Sequence, residues 1–109
     1  MMSGKRIFFR EQTMKTVATE IRPEIEYPLQ DETITSSYYS FRIGAPAAAE
    51  SLDVSINQGP WLSCRKSAGY WWYDWSGYDS GEHEIIARTK GKNGRWLLSS
   101  PHEFMVKKP

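Results

Sequence analysis

Gly69-Tyr70-Trp71-Trp72-Tyr73-Asp74-Trp75-Ser76-Gly77-Tyr78 holds three of the chain's five tryptophans and three of its six tyrosines. Read as a strand, it alternates. Trp71, Tyr73 and Trp75 fall on one face, and Tyr70, Trp72 and Asp74 on the other. The first set is free of charge and is assigned to the core, which leaves Tyr70 and Trp72 outward. After a short loop comes Gly81-Glu82-His83-Glu84-Ile85-Ile86-Ala87-Arg88-Thr89-Lys90. Its alternation places His83, Ile85, Ala87 and Thr89 together. Two neighbouring strands with this much aromatic area can hold a small β domain together, because buried aromatics contribute the largest apolar areas available.

Working outward, Leu52-Asp53-Val54-Ser55-Ile56-Asn57 has the cleanest period of two in the chain, with Leu52, Val54 and Ile56 inward. Asn57-Gln58-Gly59-Pro60 reads as a turn, and Trp61-Leu62-Ser63-Cys64-Arg65 as its hairpin partner. Tyr38-Tyr39-Ser40-Phe41-Arg42-Ile43-Gly44 alternates with Tyr39, Phe41 and Ile43 on one side. Upstream, Glu24 to Thr35 reads as a first edge strand kinked at Pro28, since proline cannot donate to a ladder. Ala45 to Glu50 is a loop or a single helical turn begun by Pro46. Lys92-Asn93-Gly94-Arg95 carries the Asn-Gly hairpin signal, and Trp96-Leu97-Leu98 returns from it. Past Pro101, Phe104 and Val106 face in. About seven short strands with turn signals and no long helix predict an all-β antiparallel sandwich over residues 23–109, ahead of its competitor, a five-stranded barrel. Residues 1–22 read as a tail or an extra edge strand.

Composition narrows the function. A chain of 109 residues is one domain by length, and its 39% hydrophobic share suffices for a core. Fourteen basic and 13 acidic residues give a net charge of +1, so no global field points to nucleic acid. No run approaches the roughly 18 apolar residues of a membrane helix. The start lacks the apolar stretch of a signal peptide, so the expectation is a soluble chain, or a domain cut from a longer one, of unknown compartment with the cytoplasm as default. Cys64 is the single cysteine, which excludes an intrachain disulfide and a cysteine metal cluster.

Taken in order, the segments resemble a bacterial immunoglobulin-like domain over residues 24–107. The resemblance rests on Tyr27-Pro28 with Asp31 to Ile34, on Leu52 to Trp61, on Trp71 to Trp75, and on Gly81 to Thr89. In that family a "valine-x-valine-serine-x-aspartate-glycine-glycine" hairpin precedes an aromatic strand, and a "glycine-x-histidine-x-isoleucine-x-alanine-arginine-alanine" strand follows it. Similar strings occur in accessory modules of extracellular glycosidases and surface proteins, and in the dimerisation domain of sulfite-oxidase-type enzymes. The resemblance implies an immunoglobulin-like sandwich that spaces, docks or dimerises, with His83 as a half-buried structural histidine bonded to a loop. Related modules sometimes hold calcium on acidic turn residues. Here Asn57-Gln58 and Lys90-Gly91-Lys92 stand where those acids would be.

Candidate chemistry is thin. Glu82 and Glu84 flank His83, but on a strand they point to the opposite face and cannot share a shell with it. His102 would need further ligands to hold a metal. Cys64 reads as a small buried hydrophobe. No phosphate loop, nucleophile elbow or carboxylate pair can be assembled, so the expectation is a domain that is not an enzyme and carries no cofactor or metal. The outward aromatics remain: Trp72, Tyr70, Trp61 and Tyr78, expected as one binding platform. Three things could cover it: the N-terminal segment with Ile7, Phe8, Phe9 and Val17, another protein or a second copy, or a sugar ring. Base stacking would use the same platform, but the basic residues are scattered. The sequence is read as a non-catalytic interaction module, with carbohydrate binding as the alternative and neither nucleic acid nor membrane insertion expected.

Overall fold

A computed structural model describes residues 21–109. The expectation for residues 1–22 therefore lies almost wholly outside the described residues. Among the described residues, ten strands form two packed sheets: β1 (Glu24–Tyr27), β2 (Thr33–Ile34), β3 (Tyr38–Gly44), β4 (Asp53–Ile56), β5 (Trp61–Ser63), β6 (Arg65–Ser67), β7 (Tyr70–Ser76), β8 (Gly81–Lys90), β9 (Trp96–Leu98) and β10 (His102–Val106). The smaller sheet runs β1-β3-β7-β6. The larger runs β2-β10-β8-β4-β5, with β9 also paired to β8. The expected β-sandwich is the observed one.

Alternation explains the packing. Phe41 faces Tyr73 and Ile43 faces Trp71 across the β3–β7 ladder. Val54 faces Ala87 and Ile56 faces Ile85 across β4–β8. Phe41, Ile43, Leu52, Val54, Ile85 and Val106 are fully enclosed between the sheets. Each such side chain stabilises the fold by roughly 1.5–3 kcal/mol on transfer grounds. Trp75 lies 5.2 Å from Phe41 and edge-on to Phe104 at 5.6 Å, so the aromatic strand joins both layers. Trp71, Tyr73 and Trp75 thus face inward as their spacing predicts.

Where the chain changes sheets, local patterns give less guidance. The expected return strand Trp61–Arg65 is divided at Cys64: β5 stays with β4, while β6 crosses to pair with β7. The next turn explains the crossing, because Ala68 and Gly69 both take positive φ (55° and 81°). That is the geometry of a tight two-residue hairpin turn, here closing β6 onto β7. The turn after β4 has the same form, with Asn57 at φ 54° and Gln58 at φ 61°, and Gly59 N–H closes it on Ile56 O at 2.9 Å. The first edge strand is also two pieces, β1 on the smaller sheet and β2 on the larger, parallel to β10. The chain returning along β8 breaks at Ser99–Pro101 into β9 and β10. Ser99 bridges the gap, its N–H donating to Ala87 O at 2.8 Å and its hydroxyl accepting from Ala87 N–H at 2.9 Å. The segment after Pro46 is a loop with one turn, Ala49 N–H to Pro46 O at 2.9 Å.

Candidate functional site

The four aromatics expected as one platform occupy three places. Tyr70 and Trp72 share the outer face of the smaller sheet, half-buried and edge to face at 6.3 Å. Trp72 spends its indole N–H on Ser67 O at 2.8 Å. Trp61 sits on the outer face of the other sheet. Tyr78 is in the core, 6% exposed, stacked on Trp75 at 3.8 Å with its hydroxyl donating to Ser36 O at 2.8 Å. Strand alternation ends at Ser76, and Gly77 at φ 72° turns Tyr78 back beneath the sheet. A single four-residue platform is therefore corrected to two separate outer faces.

Each outer face is built around an arginine clamped by aromatic rings. On the smaller sheet, Arg42 of β3 lies over Tyr27 at 4.7 Å and Tyr70 at 4.5 Å. The β1 ladder shifts register between Ile25 and Tyr27, which brings Glu26 and Tyr27 together against Arg42. Glu26 then pairs with Arg42 Nη2 at 2.9 Å. Arg42 Nε is buried and meets no acceptor among the described residues. Nearby, Asp74 accepts from the Ser40 hydroxyl at 2.8 Å and from Arg65 at 3.3 Å. These bonds, Ser40's first, hold the Asp74 carboxyl below its ordinary value.

On the larger sheet, Arg88 of β8 lies between Trp61 at 4.3 Å and Trp96 at 3.7 Å. Lys90 reaches the Trp96 ring at 5.1 Å. The strand order makes this stack: Trp61 faces Ser55 on β4, Arg88 faces Asp53 on β4 and Leu98 on β9, and Lys90 faces Trp96. Asp53 holds Arg88 Nε at 3.0 Å, the two side chains being 19% and 22% exposed. Trp61 and Trp96 remain open, at 37% and 42%. Leu98 and Met105 are exposed on the same face by their register with Arg88 and Glu82. Trp96 was not a candidate on sequence. The signal that could have found it is the parity of the Asn-Gly hairpin, which puts Trp96 on the Arg88 side.

The remaining candidates have structural partners. His83 Nε2–H donates to Asp79 O at 2.8 Å, leaving Nδ1 to accept from the Asn57 amide at 2.9 Å. Asn57 Oδ1 accepts Glu84 N–H at 2.9 Å, so the amide orientation is fixed from both ends. His83 is thus the loop-bonded, half-buried histidine that the resemblance implies. His102 Nδ1 donates to Pro28 O at 2.9 Å. Cys64 is half-buried between β5 and β6. Burial, with the Asp53 charge adding to it, pushes its thiol up to about 12, so it stays protonated and a poor nucleophile at neutral pH. Among the described residues no three His, Cys, Asp or Glu side chains gather to hold a metal ion, and no helix is long and apolar enough to cross a membrane.

No protein-family model matches the chain, and no curated protein matches it. Solved structures do match. The fibronectin(III)-like modules of Clostridium thermocellum CbhA superpose with a TM-score of 0.65 at 16% identity, over 79% of this chain and 94% of theirs. The chain has an immunoglobulin-like β-sandwich fold. CopC from Methylosinus trichosporium OB3b matches this sandwich with a TM-score of 0.50 at 14% identity, over 81% of this chain and 91% of its own. An engineered protein matches with a TM-score of 0.64 at 19% identity, over 78% of this chain but only 20% of that one. Identities this low speak to the fold alone.

Proposed function

We propose that this sandwich is a non-catalytic accessory module that docks another protein through the outer face of its larger sheet. The observation that carries the reading is the gathering of exposed Trp61, Trp96 and Leu98 around a clamped arginine on that face, with exposed Met105 further along the same face. Tryptophan and arginine are the residues most enriched at energetic centres of protein interfaces. Arg88 and Lys90 at the clamp would meet themselves if two copies stacked across it, which favours a different protein over self-association. A sugar platform needs a free ring face, and Trp96 already has a cation at 3.7 Å and another at 5.1 Å.

A photo-cross-linking residue replacing exposed Ser63 on β5 tests the reading in the native cell, with the same residue at Ser67 on β6 as the control face. A protein adduct of defined mass from position 63 and none from position 67 is expected. Equal labelling from both faces would overturn the reading. So would retention on a polysaccharide that Trp61→Ala abolishes.

A further inference from the structure

We infer that Arg88 is a preorganised carboxylate fork, and that the docking partner seats an aspartate or glutamate side chain in it. The inference rests on the docking reading and adds the chemistry of the partner. An ordinary surface arginine gives up much rotamer freedom when it binds, which weakens any fork it forms. Arg88 has given up that freedom beforehand. The two indoles hold its plane on both sides at 4.3 and 3.7 Å. Asp53 holds its Nε end at 3.0 Å.

That anchoring leaves the far end of the guanidinium free. Among the described residues, Asp53 at Nε is the one hydrogen-bond acceptor of the Arg88 side chain. Neither Nη is bonded within the described residues, and neither is fully buried. A guanidinium presents five N–H donors, and the four on the Nη atoms suit the two oxygens of a carboxylate. The molecule carries its own demonstration of the ligand. In the Arg42 clamp, which is also stacked on two rings, the Nη end is occupied by the Glu26 carboxylate at 2.9 Å. The Arg88 clamp has the same stacked geometry with that position unfilled. Lys90 adds positive charge beside the clamp at the Trp96 ring, while Asp53 supplies the negative charge held within it and Glu82, Glu84 and Glu103 lie further along the same face, towards Met105.

The site is tested on the whole protein by titrating poly-L-glutamate at roughly 20 mM salt, where surface attraction is little screened, and following the guanidinium nitrogen resonances by NMR. Saturable movement of the Arg88 signals with those of Arg42 unchanged is expected, and no substitution is needed to see it. Arg88→Lys keeps the charge but removes the fork, and should weaken binding about tenfold. Lys90→Gln removes a neighbouring charge but keeps the fork, and should weaken binding only about twofold. Equal losses in the two variants, or Arg88 signals that do not move, would overturn the inference. Polygalacturonate supplies a carboxylate on sugar, and a single-stranded oligonucleotide supplies phosphate. Tighter binding of either one, lost in Arg88→Lys, would also overturn it. If position 63 still cross-links a protein while polyglutamate leaves Arg88 untouched, docking stands and the carboxylate fork falls. If neither occurs, both fall.

Discussion

Arg42 and Arg88 are the same device turned end for end. Both lie between two aromatic rings on an outer sheet face, and both pair with one carboxylate. Glu26 takes Arg42 by an Nη and leaves its Nε buried without an acceptor. Asp53 takes Arg88 by Nε and leaves the Nη atoms to water. The first arrangement closes the guanidinium within the protein. The second anchors it at its root and keeps its functional end available. Cation–ring stacking is therefore not by itself a sign of function; which nitrogen the carboxylate consumes decides whether the arginine is finished or waiting.

The sharpest way to break this comparison is to replace each arginine by methionine, which keeps an apolar stem between the rings. Arg88→Met strands Asp53 in a largely buried position and should cost about 2 kcal/mol. Arg42→Met loses a half-exposed ion pair but also deletes the N–H that has no acceptor, and should cost about 0.5 kcal/mol or less. Urea unfolding followed by tryptophan fluorescence measures both. Equal costs would mean that the two ends of the guanidinium are equivalent here.

A smaller effect tests whether the rings act through the arginine. Trp61→Ala and Trp96→Ala should each cost about 1 kcal/mol, and the double variant should cost less than their sum by roughly 0.5 kcal/mol. Strict additivity in the unfolding cycle would show two independent indoles rather than one clamp.

The smallest effect concerns the face that has no open fork. Asp74 beside the Arg42 clamp has a lowered carboxyl value, so its folded form binds fewer protons than its unfolded form. The stability it contributes is present above the ordinary value of 3.8 and is lost as pH falls through the lowered one. Asp74→Asn should therefore show a slightly shallower loss of stability on acidification than the wild type. Unfolding midpoints compared across that range check the sign, and a steeper loss in the variant would contradict the assignment.

Much of the fold was legible because alternation is a local property. Trp71, Tyr73 and Trp75 faced inward as their spacing requires, as did His83, Ile85, Ala87 and Thr89. The crossing at Cys64 was not legible, because its cause is the Ala68-Gly69 turn. Alanine rarely takes a positive φ, and nothing in its identity announces that it does. Tyr78 was misplaced because it lies past the end of its strand, where Gly77 at φ 72° and not alternation sets its direction. The Arg88 clamp was hidden for a deeper reason. Trp61, Arg88 and Trp96 come from three strands, and only the sheet order β5-β4-β8-β9 brings them together. A strand read alone tells which way a side chain points, not what stands beside it.

The parallel pairing of β2 with β10 has a mechanical consequence. Asp31 N–H to Glu103 O at 2.7 Å, Met105 N–H to Glu32 O at 2.8 Å and Lys107 N–H to Ile34 O at 2.8 Å tie the first part of the sandwich to the last. These two strands run in the same direction, so tension applied to the chain on either side of the domain pulls them along their length in opposite senses. Such a load shears the three bonds together instead of peeling them one by one. A module tethered at both ends would hold its shape under stretch, and the Trp61–Arg88–Trp96 stack would stay assembled while its tethers were taut.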